Sequence, residues 1–538
     1  RLLKSVDAIE VPATVKAPLA ARIDRLNAEE KAVLQAASVI GTDVPFQVLQ
    51  AIADISPDQL RRCLAQLQAA EFLYEIKIFP DLEYTFKHAL THEVAYGSLV
   101  GDRRRALHAR IVEAIERLYA DRLDEQIDRL AHHAVRSEVA SKAVPCLYEA
   151  GARAVQRSAN GEAVTYLRQG LDLAGKLPPD RARMRHELRL LLALGPALQQ
   201  VQGFGADEVE TTYTRARELC EQVGEPADLF QSLWGLWLYT VGGKARFNEG
   251  PRIAQELLDL AQRQGDPALL LEARHALSPT TLWVGEPSAA RQHAEQGMAL
   301  YDQERHRSLA FLYGGHDPGV CCHMHSALAL WMLGFPRAAL DRGRRGLTLA
   351  RDLAHPMTIA NALPFLGAVQ QLRGEVEEVR ELADSTIELS TAHGLPQWLA
   401  IGRMLSKWVQ VERGHGVAEL QNAVDDYRAK GKFDFWESYF LTLLAAAFLK
   451  RGAIEDGLRT VMDALKGADQ TGSQIYNAEF HRLRGELLLA RDAADASEAE
   501  ASFDRALAIA RSQRAKSWEL RAAMCHGRLW RSQGRCVE

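Results

Sequence analysis

A glycine returns about every forty residues through most of this chain, and that period restricts what the chain can fold into. The series runs Gly205, Gly243, Gly285, Gly334, Gly374, Gly414 and Gly452, with steps of 38, 42, 49, 40, 40 and 38 residues. Gly161 and Gly203 precede it. The step from Gly452 to Gly534 is 82 residues, two units with the middle glycine replaced near Asp495. Between glycines the apolar residues recur at helical spacing. A glycine lets the chain reverse at the C-terminus of one helix before the next begins. Apolar residues just before the turns, such as Leu282, Trp283, Leu330 and Trp331, would fill the space between neighbouring pairs. Units of this kind cannot bury their apolar faces alone, so they stack.

Residues 104–538 therefore read as a TPR-like α-solenoid of nine or ten helix pairs, each about 40 residues long. The 49-residue step carries an insert around Phe311–Pro318, expected as a longer loop. Composition agrees with a mainly α chain. Helix-forming Ala, Leu, Arg and Glu dominate, and 19 prolines with 7% aromatics argue against an all-β fold. At 538 residues the chain exceeds what one core usually holds, but a solenoid grows by stacking.

The first hundred residues follow other rules. Asn27 and Glu30 form a capping-box pattern before a helix that carries Val33, Leu34, Ala37 and Ile40 on one face and stops at Gly41. A second short helix covers Phe46–Ile52. Ser56-Pro57 opens a third, with Leu60, Leu64 and Leu67 directed inward. The period then changes. Phe72–Phe79 is rich in aromatic and β-branched residues, Pro80-Asp81 marks a turn, and Glu83–Lys87 reads as a second strand. Three helices and a hairpin imply a winged-helix domain over residues 18–103. A further helix is expected from His88 to about Leu99.

Net charge is −5, so no broad basic excess exists to neutralise phosphates, and nucleic-acid binding by the whole chain is disfavoured. Seven scattered cysteines form no disulfide framework and suit a reducing cytoplasm. No apolar run approaches the length of a membrane span.

The chain lacks the motifs of catalysis. Gly175-Lys176, Gly243-Lys244 and Gly431-Lys432 are not followed by Ser or Thr, so none is a Walker A loop. Nucleophile elbow and zincin patterns are missing too. The segment His316-Asp317-Pro-Gly-Val-Cys321-Cys322-His323-Met-His325 could place Cys321 or Cys322 on a helix face with His325. The simpler reading, cysteine as a small apolar residue, is preferred. No catalytic residue, metal ligand or cofactor is assigned. His132-His133 is a weaker pattern still. The tryptophans, Trp234 to Trp530, could line a groove, though core packing at helix spacing is the default.

Several stretches resemble bacterial multidomain adenylate/guanylate cyclases that carry a STAND-type (signal-transduction) ATPase. Val11–Gly41 resembles the end of the ATPase module, and Tyr84-Thr-Phe-Lys-His-Ala-Leu-Thr-His-Glu-Val-Ala-Tyr96 its continuation. Gly315-His-Asp-Pro-Gly-Val320, Ala329–Gly334 and Arg482–Leu488 extend the likeness. The resemblance implies a longer parent: a cyclase domain, then the ATPase, then this winged helix and solenoid. Residues 1–17 would be the linker from the ATPase. ATP or ADP and magnesium would belong to the upstream domains, so the chain itself is expected not to be an enzyme.

In STAND ATPases a winged-helix histidine reaches the phosphates of bound ADP. His88, in Lys87-His88-Ala89, matches its place, although Ala89 stands where that motif has Asp. The chain is thus expected to be the regulatory and partner-binding part of a cytoplasmic signalling protein. Its solenoid would bind a protein partner or small effector, act on the upstream ATPase in cis, and could self-associate. The alternative is the sensor of a STAND-type transcription regulator, with a DNA-binding winged helix.

Overall fold

The computed structural model describes residues 13–77, 82–224, 226–429 and 436–535. Most of the expected 1–17 linker, the Pro80-Asp81 turn and Cys536 lie outside the described residues. The chain forms two compact units, one of residues 1–154 and 165–190, the other of residues 155–164 and 191–538.

In the first unit the capping signals act as the sequence implies. Asn27 Oδ1 accepts from Glu30 N at 2.8 Å, Asn27 N donates to Glu30 Oε2 at 3.2 Å, and the helix Ala28–Ile40 follows. Ser56 and Gln59 form a second capping box ahead of Pro57–Ala69, which buries Leu60, Cys63, Leu64 and Leu67. Phe46–Ile52 lies between these helices in sequence. Three strands form one antiparallel sheet: β1 (Asp43–Pro45), β2 (Leu73–Lys77) and β3 (Glu83–Phe86), in the order β1-β3-β2. Val44 pairs with Tyr84, and Tyr74 with Thr85. β1 was not foreseen, because three residues are too few to show a period. Helices Ala89–Gly97, Gly101–Leu118 and Ile127–Arg136 complete this core.

The second unit is a stack of helix pairs, and its helices come in two kinds. One kind packs side by side, each on the next: Pro267–Trp283, Pro318–Met332, Pro356–Arg373, Pro396–Glu412, Glu437–Arg451, Asn477–Arg491 and Lys516–Ser532. These form a wall. Several are apolar nearly all round, as Pro356–Arg373 shows by burying residues on every side. The other kind intervenes. Pro336–Leu353 buries only a stripe, including Ala339, Gly343, Leu347 and Ala350. Proline opens many of these helices at the position where a missing N–H costs nothing.

The repeated glycines end the wall helices. Gly285, Gly334, Gly374, Gly414, Gly452 and Gly534 have φ of +87°, +92°, +82°, +93°, +77° and +70°. Earlier members of the series differ. Gly161 lies inside a helix, Asn160–Ala174. Gly205 and Gly243 instead meet each other: a Cβ on Gly205 would stand 2.5 Å from the Gly243 carbonyl oxygen. Two short helices, Gln303–His306 and Leu309–Leu312, fill the insert.

The wall closes on itself. Trp518 of the last wall helix meets Trp331 edge-on at 4.7 Å between ring centroids. Arg521 lies over both rings, at 5.1 and 5.2 Å. It also donates to the Leu372 carbonyl at 2.8 Å and to Glu479 at 3.3 Å. Ser517 donates to the Trp331 carbonyl, and Gln474 N to the Trp283 carbonyl at 2.7 Å. Two turn glycines sit at this seam. A Cβ on Gly334 would lie 3.0 Å from Lys516 Cβ, and one on Gly285 would lie 2.5 Å from Gln513 Nε2.

Candidate functional site

A narrow cavity of about 40 Å³ lies among the wall helices of the second unit. That is room for about three water-sized occupants. Trp237, Trp283, Phe365 and Trp398 give it apolar sides, and His275, His316, His325 and Asn361 are its polar groups. Eight of the nine tryptophans are thus core residues, as expected, with Trp530 only half-buried, and three of the eight also line this space.

Local chemistry places each polar group. Pro279, inside Pro267–Trp283, has no N–H for the His275 carbonyl, and Ser278 Oγ donates to that carbonyl at 3.1 Å instead. Asp317 caps Pro318–Met332 by accepting from Val320 N at 2.9 Å, and Tyr301 OH donates to its other oxygen at 2.9 Å. Gly314 and Gly315, at φ +72° and +80°, turn the chain just before His316. The π-helical turn Leu238–Gly243 contributes Leu238, Val241 and Gly242 to the wall.

One ligand atom from each of His275, His316 and Cys321 lies within 4.8 Å of the other two, and all three residues are buried. The spacing argument paired Cys321 or Cys322 with His325. The structure instead groups Cys321 with His316 and with His275 of the preceding wall helix, while His325 Nδ1 shares a 2.9 Å hydrogen bond with Ser278. His275 could not be found by spacing, since it lies one repeat away in sequence.

Behind these groups sits Glu272, fully buried, with Oε2 2.9 Å from His275 Nδ1. Its Oε1 is buried without a hydrogen-bond partner among the described residues. Burial lifts the Glu272 carboxyl and the Cys321 thiol well above their usual ranges. It lowers His275 to about 4 and His316 to about 3. The two imidazoles and the Cys321 thiol are therefore neutral at neutral pH, and burial favours the protonated form of Glu272.

A wider cleft of about 460 Å³ lies elsewhere in this unit, with Lys244, Arg428, Glu437, Asp463 and Lys466 on its lining. Its size suits a small polar ligand.

His88 lies in the first unit, exposed, at the residue preceding Ala89–Gly97. Its carbonyl accepts from Thr91 N at 2.9 Å, and its side chain makes no cap hydrogen bond. The His132-His133 pair proves more organised than its pattern suggested. His108 Nδ1 lies 2.9 Å from His133 Nδ1, and Tyr96 OH lies 3.2 Å from His108 Nε2.

No protein-family profile matches the chain. An uncharacterized protein of Rhizobium meliloti (strain 1021) is 27% identical over 513 residues, which cover 94% of this chain and 49% of that protein. The chain thus spans about half the length of the curated relative it matches. Among solved structures, a Rap protein complexed with competence and sporulation factor covers 73% of this chain and 98% of its own, at TM-score 0.39 and 11% identity. A STAND protein with a tetratricopeptide-repeat sensor from Pyrococcus horikoshii covers 77% and 65%, at TM-score 0.35 and 13% identity. No helix among the described residues is long and apolar enough to cross a membrane.

Proposed function

We propose that this chain is the sensory and partner-binding arm of a cytoplasmic signalling ATPase that controls an adenylate or guanylate cyclase. The observation that carries the reading is the closed wall of the second unit. Its seam joins helices far apart in sequence through a few side chains around Arg521 and Trp331. Occupancy of the polar cleft, or a protein partner on the wall, would favour one arrangement of that seam, and such a difference in contacts is what a ligand needs to shift a conformational equilibrium. The resemblance of Val11–Gly41 and Tyr84–Tyr96 to the cyclase-linked family supplies the upstream partner in cis.

Within this reading the helices and sheet of residues 18–103 form a winged helix. His88, exposed at a helix start, would contact the phosphates of ADP bound upstream, where helix N–H groups also favour an anion. ATP, ADP and magnesium would bind in those upstream domains. The test uses the longer protein: His88→Ala should release ADP faster, and removal of residues 191–538 should alter nucleotide turnover and cyclase output. Unchanged output and unchanged response after that removal would end the proposal.

The sheet order β1-β3-β2 beside three helices favours one second reading, a DNA-binding winged helix. Against it, Pro57–Ala69 carries only Arg61 and Arg62 as basic residues, and Arg61 lies over Phe46 at 5.8 Å. Tight, salt-dependent binding of the chain to duplex DNA would reverse the ranking.

A further inference from the structure

We propose that His275, His316 and Cys321 bind one divalent transition-metal ion, zinc by preference, with a fourth coordination position facing the cavity. The inference concerns this chain's own chemistry and does not depend on the signalling role above.

Three separate observations converge on it. The first is the donor set itself, two imidazoles and one thiol, with ligand atoms within 4.8 Å of one another. Around zinc, ligand bonds of about 2.0–2.3 Å bring such atoms to roughly 3.5 Å apart, which small side-chain rotations supply.

The second is the orientation of the imidazoles. His275 Nδ1 is hydrogen-bonded to Glu272 Oε2, and His316 Nδ1 to the Gly314 carbonyl, each at 2.9 Å. The Gly314 carbonyl can only accept, so it fixes the His316 proton on Nδ1 and leaves Nε2 with its lone pair; the Glu272 carboxylate does the same for His275 once it has released its proton. A carboxylate behind one ligating histidine and a backbone carbonyl behind another is the arrangement that tunes metal-bound imidazoles.

The third is Glu272. A fully buried carboxyl with an unpartnered oxygen is costly unless a cation lies nearby. When zinc binds, the Cys321 thiol and the Glu272 carboxyl, whose protonated forms burial favours in the metal-free protein, each give up a proton to solvent, and a zinc–sulfur bond forms. The thiolate and the Glu272 carboxylate together then offset the two positive charges. No oxidation or reduction is involved. The cavity has room for a water at the fourth position, as an open three-ligand zinc site requires.

The donors themselves select the metal. Imidazole and thiolate favour zinc over calcium or magnesium, which prefer oxygen.

The test uses the whole chain, stripped with chelator and titrated with Co²⁺ and then Zn²⁺. One equivalent of Co²⁺ should produce a thiolate-to-cobalt charge-transfer band that zinc displaces. Cys322→Ser should keep the band, and Cys321→Ser should lose it. Both remove a buried sulfur from adjacent positions, so the pair separates ligation from packing. Glu272→Gln should weaken binding by about 10–100-fold. Zinc-edge X-ray absorption on the unmodified chain needs no variant to fold, and it should report one sulfur and two or three nitrogen or oxygen neighbours. The absence of stoichiometric metal, a sulfur-free shell, or an unchanged band in Cys321→Ser would overturn the proposal.

Discussion

Arg521 shows how much one side chain can hold. Its guanidinium covers Trp331 and Trp518, pairs with Glu479 and donates to the Leu372 carbonyl. Glu479 is 4% exposed and keeps Arg482 as a second partner, at 2.7 Å. Arg521 itself is 37% exposed, so solvent screens part of its charge. Arg521→Ala should therefore cost about 1–3 kcal/mol in urea unfolding. Arg521→Lys should recover only part of that, because an ammonium cannot fork between a carboxylate and a carbonyl while stacking on indole. The histidine pair of the first unit makes a second prediction. Burial, reinforced by His108, His132, Arg129 and Arg136, lowers His133 to about 2, and burial, reinforced by His132, Arg136 and Arg104, lowers His108 to about 4. An unfolded histidine titrates near 6.5. The unfolded chain thus binds more protons below pH 6.5, so stability is full above that value and is lost as pH falls toward 4. The loss approaches about 1.4 kcal/mol per pH unit per group. Hydrogen exchange of Gly101–Leu118 and Ile127–Arg136 at pH 7 and pH 5 measures it, and His108→Gln should flatten the difference.

Among the elements, the wall helices depend on glycine for two separate reasons, and substitutions distinguish them. Gly374 turns the chain at φ +82° with open space around it, so Gly374→Ala carries backbone strain alone, about 1 kcal/mol. Gly334→Ala adds to that strain an approach of 3.0 Å to Lys516 Cβ, and should also loosen the seam. Thermal unfolding compares the two, and Gly334→Ala should show the larger fall. Inside helices, glycine makes room instead. A Cβ on Gly235 would lie 2.3 Å from the Tyr213 ring, so Gly235→Ala should destabilise by about 1–3 kcal/mol through overpacking. These positions explain what was legible beforehand. Turn glycines such as Gly334 and Gly374 announce themselves because few other residues adopt their φ, and Asn27 and Ser56 because caps need short polar side chains. β1 was hidden by its length, and the π-helical turn at Leu238–Gly243 because helical periodicity runs straight through it.

For the molecule as a whole, the sequence shows that helix pairs stack but not how their ends meet. Arg521 and Trp331 lie 190 residues apart in sequence, and no local pattern links them. The same holds for His275 and Cys321: neighbouring wall helices bring together residues that spacing along one helix cannot relate. Closure gives the second unit a seam between distant repeats, and on the proposed function that seam is where a partner would act. On the proposed function, the direct measurement is cyclic-nucleotide production by the longer parent that function supposes, compared between the intact form, Arg521→Ala and a form lacking residues 191–538. The account predicts that Arg521→Ala shifts basal output severalfold toward the level of the truncated form. Identical output from all three, under every condition that changes the intact protein, would contradict it.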